Sequence, residues 1–99
     1  MVYLPASLQG TLWSAPIGTL DTRTNRVYII HQILAFGTMD DTRWLFRTYD
    51  QKTLREVFLN DPLKIYTRPA FHFSKLLLGI DGEHVPVYRY DRSLPRRIG

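Results

Sequence analysis

Between residues 24 and 80 the apolar positions recur every three or four residues, the period of a helix with one buried face, and punctuating residues divide the stretch into four pieces. The first, about 24 to 36, spreads Val27, Tyr28, Ile29, Ile30, Ile33, Leu34 and Phe36 over more than one face, which predicts a central helix contacted on several sides. Asp21 and the run Thr22-Arg23-Thr24-Asn25 offer caps for its amides, and Gly37 is expected to end it in a left-handed conformation. Thr38 can cap a second helix, about 39 to 48, with Asp40 and Asp41 in its first turn, where negative charge suits the dipole. Trp44, Leu45 and Tyr49 are expected to turn toward the core. Asp50 caps a third helix, about 51 to 59, whose stripe of Leu54, Val57 and Phe58 leaves Gln51, Lys52, Arg55 and Glu56 largely outside, and Asn60-Asp61-Pro62 stops it. Thr67 opens a fourth, with Pro69 tolerated in its first turn because no helical hydrogen bond is lost there. Phe73, Leu76, Leu77 and Ile80 give it an apolar face that Phe71 and Leu78 widen, and Gly79 with Asp81-Gly82 closes it.

The two ends read differently. Pro5, Gly10, Pro16 and Gly18 break residues 1 to 20 into short extended or turn-like pieces, an arm that Leu12 and Trp13 are expected to anchor. Val85-Pro86-Val87-Tyr88-Arg89-Tyr90 alternates like a strand, and Pro86 confines it to an edge. Its partner is expected in Val2-Tyr3-Leu4, in Thr11-Leu12-Trp13, or in another molecule. The predicted fold is therefore mainly α: one domain over 1–99, made of an arm at 1–20, a compact four-helix core at 21–80 and a strand with a basic tail at 81–99. The middle helices resemble a helix-turn-helix pair, and the terminal β pairing is minor.

Composition narrows the chemistry. The 99 residues suit a single core, and 44% hydrophobic content is enough to fill it. No run approaches the roughly 18 apolar residues of a membrane span, and Met1-Val2-Tyr3-Leu4-Pro5 lacks the features of a secretory signal, so a cytoplasmic protein without a membrane role is expected. The lack of cysteine removes disulfides, thiolate metal sites and thiol catalysis together. The net charge of +4 rests on ten arginines against three lysines, a bias that suits planar contacts to carboxylate or phosphate. Residues 38 to 60 balance Asp40, Asp41, Asp50 and Glu56 against Arg43, Arg47, Lys52 and Arg55, so the basic excess lies in the tail, at Arg89, Arg92, Arg96 and Arg97.

Neither catalysis nor a cofactor is expected. His31, His72 and His84 fall on separate elements with no metal-ligand spacing, and the first two suit hydrogen-bonded structural roles. Asp40 and Asp41 point about 100° apart on a helix and act as dipole caps rather than as a carboxylate pair. Arg43 and Arg47 are expected to pair along the helix surface with Asp40, Asp50 or Glu56. Two binding readings remain. For DNA, the third helix would read the groove through Gln51, Lys52, Thr53 and Arg55, with Arg89, Arg92, Arg96 and Arg97 on the backbone; Asp50 and Glu56 beside them oppose phosphate. For a protein partner, Tyr3, Tyr66, Tyr88, Arg89 and Tyr90 are the residue types that dominate interface energetics.

From residue 12 to 80 a set of ordered fragments carries a family resemblance. They are Leu12-Trp13, Ile29-Ile30, Ile33-Leu34-Ala35-Phe36-Gly37, Arg43-Trp44-Leu45-Phe46-Arg47-Thr48-Tyr49, Leu54-Arg55-Glu56-Val57, Phe71, Phe73 and Leu76-Leu77-Leu78. The chain resembles short prokaryotic domains of unknown function encoded beside nucleotidyltransferase toxins of the abortive-infection AbiE type. It departs from their pattern at Ser14, where an acid follows the tryptophan, at Asp50, where glycine stands, and at Ser74, where tryptophan stands, the last suggesting a repacked fourth helix. The resemblance implies a non-catalytic, antitoxin-like partner or regulator whose partner is such a toxin or a second copy of itself. The expected function is thus an interaction or regulatory module, with a helix-turn-helix DNA-binding regulator as the alternative.

Overall fold

The computed structural model describes residues 4–80 and 85–93. Four helices form within them: α1 Arg26–Phe36, α2 Met39–Thr48, α3 Gln51–Asn60 and α4 Arg68–Leu77. The architecture is mainly α, as the periodicity predicts, and α2, α3 and α4 each pack against α1. Six consecutive residues of α1, Ile29 through Leu34, are buried. At 100° per residue that run covers the whole circumference, so α1 is enclosed rather than lying on a surface.

Local chemistry sets the helix starts. The Thr38 hydroxyl accepts from the Asp41 amide while Asp41 accepts from the Thr38 amide, a reciprocal capping box. Asp50 and Thr67 accept from the amides of Thr53 and Ala70. Helix α1 begins differently: the Asn25 side chain makes no cap and instead accepts from the Asp21 amide, while Asp21 accepts from Arg23 and Thr24 and so organises the turn before the helix.

The two glycine stops follow separate rules. Gly79 takes φ +68°, with its amide on Leu76 O and that of Ile80 on Lys75 O, the paired bonds of a Schellman ending. Gly37 departs from expectation. Its φ is −73°, an ordinary value, and glycine is needed for space: a Cβ there would lie 2.5 Å from Ile33 O and 3.2 Å from Asp41 Cβ. The chain enters the α2 capping box too close to the end of α1 for a side chain to fit.

The arm is an irregular clip. Leu8 and Leu12 are buried, but Trp13 is 57% exposed and touches Phe36 only edge-on at 4.9 Å, so Leu8 replaces it as the second anchor. Gln9 folds the clip by donating to Leu12 O and Ala15 O and accepting from the Ile17 amide. Thr11 ties it down: its hydroxyl donates to Asp41 Oδ2 at 2.6 Å and its carbonyl accepts from Gln32 Nε2. One carboxylate therefore caps α2 and holds the arm.

The tail is not the expected strand. Val87–Arg89 is a 3-10 turn, and among the described residues the sole pairing is a parallel bridge between Tyr66 and Asp91. Thr11-Leu12-Trp13 pairs with no strand, Leu4 likewise, and Val2 and Tyr3 lie outside the described residues. Pro86 starts the turn, whose closing bond runs from the Arg89 amide to Pro86 O. Backbone bonds then join Tyr66 to Tyr90 and Arg92, the Tyr90 hydroxyl donates to Phe58 O, and Arg68 meets the buried Asp91 carboxylate at 2.8 Å.

These ties close an aromatic node of Phe58, Tyr66, Phe71 and Tyr90. His31 sits against it, fully buried, with Nε2 2.7 Å from Asp61 O and Nδ1 2.7 Å from the Tyr66 hydroxyl. A carbonyl only accepts, so Nε2 carries the proton and Nδ1 accepts from Tyr66. Burial, the dominant cause, holds the imidazole below its ordinary value of 6.5. Burial likewise pushes the Tyr66 hydroxyl well up and that of Tyr90 to about 12. The Ser93 hydroxyl and amide, followed by Arg68, hold Asp91 down at about 2.

These shifts predict two acid phases. The unfolded chain binds the His31 proton more strongly, so that contribution is whole above pH 6.5 and falls away below it. Asp91 contributes fully above 3.8 and loses its share as pH drops toward 2. Urea midpoints measured against pH should decline in both windows, and His31→Gln should remove the first decline alone. A midpoint flat from about pH 7 to about pH 5 in the wild type would contradict the buried neutral ring.

Candidate interaction surface

Helix α4 carries more apolar side chains than one buried stripe can hold. The core takes Phe71, Ser74 and Leu78, three and four residues apart, together with Ile80 beyond the helix end. The stripe is thus turned from the expected one: Phe73 is 46% exposed and Leu76 76%, while Leu77 is half-buried. Ser74 explains the rotation. Its hydroxyl donates to Ala70 O at 2.8 Å and reaches Leu34 O at 3.4 Å, so a small, self-satisfied side chain faces α1.

The displaced residues form a ridge between two depressions. On one side a groove of about 200 Å³ runs between α4 and α2, lined by Met39, Thr42, Arg43, Phe46 and Leu77, with Met39 itself exposed. On the other, His72, Lys75, Leu76 and Ile80 line a hollow of about 210 Å³. Arg43 reaches its neighbour Asp40 at 3.2 Å, an exposed pair of the kind expected on this helix. Lys75 lies 5.6 Å from the centre of the Phe71 ring. An apolar ridge with basic edges is equipped to bind, and its signal in the sequence was the surplus width of the α4 apolar set.

The residues proposed for DNA are only partly assembled. Gln51 and Lys52 are exposed, Thr53 and Arg55 are half-buried, and Gln51 is tied to Leu78 O at 3.1 Å. Lys52 and Arg55 share a groove of about 410 Å³ with Glu56, Leu59 and Asn60, so its charge is mixed. Arg89 and Arg92 are exposed, while Arg96 and Arg97 lie outside the described residues. The joint between α2 and α3 is two residues, Tyr49 and Asp50, and each helix leans on α1.

The aromatic set proposed for a partner is corrected. Tyr66 and Tyr90 are buried, and each spends its hydroxyl inside the protein, on His31 and on Phe58 O, so neither can anchor a partner. Tyr88 is half-buried, with its carbonyl taken by Lys64, and Arg89 is exposed; Tyr3 lies outside the described residues. His31 is structural, as expected. His72 is exposed on α4, and His84 is outside the described residues. Among the described residues no group of three or more ionisable side chains could hold a metal ion, and no helix is long and apolar enough to cross a membrane.

Fold and surface define a small, mainly α domain with an exposed apolar ridge. The chain belongs to a family of unknown function, DUF6922, whose model matches residues 9–58. That stretch spans most of the arm, α1, α2 and the buried part of α3; α4 and the tail lie beyond it. No curated protein and no solved structure matches the chain.

The rotated stripe is testable. Phe73→Ser and Leu76→Ser should each leave the urea unfolding free energy within about 0.5 kcal/mol of wild type, the usual span for surface changes. Phe71→Ser, in the core, should cost roughly 3 kcal/mol or more. Equal losses at all three positions would restore the broader face read from the sequence.

Proposed function

We propose that this protein is a non-enzymatic interaction module, an antitoxin-like partner or regulator acting in the prokaryotic cytoplasm, and that it grips another protein through the α2–α4 face. The supporting observation is the exposure of Leu76, Phe73 and Met39 beside an apolar groove. Full burial of one such side chain is worth about 1.5–3 kcal/mol, so leaving three in water on one small domain is a standing gain for any partner that covers them. The resemblance to domains encoded beside AbiE-type nucleotidyltransferases supplies the candidate partner.

Co-expression with the product of the adjacent gene, followed by size-exclusion chromatography, is expected to give one co-eluting complex. Phe73→Ser combined with Leu76→Ser should break it. Independent elution of the wild-type proteins would overturn the toxin-partner reading.

The second reading, a DNA-binding regulator, draws support from Gln51 and Lys52 standing exposed at the start of α3 with Arg89 and Arg92 exposed on the tail. Glu56 in the same groove as Lys52 and Arg55 weighs against it. Fluorescence anisotropy with promoter and random duplexes at two salt concentrations decides: this reading requires micromolar, salt-sensitive binding, and a flat titration at low salt removes it.

A further inference from the structure

The α4 ridge is bordered by cations on both flanks. Arg43 lines the groove on the α2 side, and Lys75 lines the hollow on the other. Among the described residues neither depression has a carboxylate in its lining. The nearest acid on α2, Asp40, is 90% exposed and held only by the solvent-facing contact with Arg43, while Asp41 is turned inward to Thr38 and Thr11. Helix α4 itself, Arg68–Leu77, contains no acid, and its other cation, Arg68, is engaged by Asp91.

From this we propose that the α2–α4 face receives an amphipathic helix of a partner protein whose apolar stripe straddles Phe73 and Leu76 and whose flanks are acidic. The assignment rests on the interaction reading above and specifies its ligand. Apolar side chains three and four residues apart on the incoming helix drop into the two depressions, and carboxylates beside them reach Arg43 and Lys75. Two arguments set the alternatives aside. A second copy of this chain would set basic edge against basic edge, and a nucleic-acid duplex, its base faces stacked inside, would offer Leu76 only phosphates and polar groove edges.

The test uses the full chain and two fluorescein-labelled peptides of about 18 residues, long enough to hold a helix. Both carry leucine at i, i+3, i+4 and i+7; one is flanked by glutamate and the other by lysine. The glutamate peptide is expected to bind roughly fivefold more tightly or better, as two surface ion pairs allow, with the advantage shrinking in high salt. Leu76→Ser should weaken both peptides. Arg43→Glu, at a side chain that is 66% exposed and outside the core, should reverse or abolish the preference without altering the thermal melt. Equal binding of the two peptides, both still sensitive to Leu76→Ser, would overturn the acidic partner and leave the apolar docking reading intact. No binding of either would overturn the face itself. A concentration-dependent dimer in light scattering that Leu76→Ser dissolves would also overturn the proposal by making the occupant a second copy.

Discussion

Helix α1 can exist only if it is covered from every side. A helix with six buried residues in a row has no face left for water, and it cannot stand alone at 11 residues, because isolated helices of that length are marginal even with favourable composition. Its stability must come from what surrounds it. α2, α3 and α4 each lie on it, Leu8 and Leu12 join the core from the arm, and His31 faces Tyr66 on the segment before α4. The protein is a sheath built round one strand of helix, and each piece of sheath is fixed less by its neighbours than by this common axis. That explains why a two-residue joint suffices between α2 and α3: the joint need only pass the chain from one side of α1 to another.

Two polar side chains inside α1 fix where the sheath sits. A wholly apolar axis would let its coverings slide, since hydrophobic contact has no direction. His31 offers one donor and one acceptor and receives the Asp61 carbonyl and the Tyr66 hydroxyl, which sets the exit of α3 and the segment before α4. Gln32 receives the carbonyl of Thr11, whose hydroxyl in turn reaches the Asp41 cap of α2. Misplacing either covering would leave a buried polar group without its partner, at a cost of about 1–3 kcal/mol each. Two adjacent residues of one helix thus register the tail side and the arm side of the molecule.

What the sequence revealed and what it hid divide along the same line. Thr38, Asp50 and Thr67 were legible as caps because capping is settled within four residues by the local amides. The α3 stripe of Leu54, Val57 and Phe58 was legible because that helix has one apolar face and one polar face. Tyr66 and Tyr90 were misread as surface aromatics because their hydroxyl partners lie 35 and 32 residues away, at His31 and Phe58, and no local pattern announces a distant acceptor. Trp13 was misread because a large indole looks like an anchor, whereas the space beneath the arm is taken by Leu8 and Leu12.

The fourth helix shows how one small residue can decide what a surface becomes. With apolar side chains at Phe71, Phe73, Leu76, Leu77 and Leu78, two faces of α4 were eligible for the core, and hydrophobicity alone does not choose between them. Packing chooses. The face that holds Ser74 meets α1 with a hydroxyl that is already satisfied by its own helix at Ala70 O, so the approach to Leu34 costs little desolvation and leaves room for Phe71 to reach Phe58. Replacing that serine by tryptophan would put an indole where Ser74 now meets Leu34, and α4 would have to turn or withdraw. The exposed ridge of Phe73 and Leu76 is therefore the counterpart of a buried serine. By letting the polar residue inside, the fold sends its surplus apolar residues out, onto a helix that has no acid to accompany them.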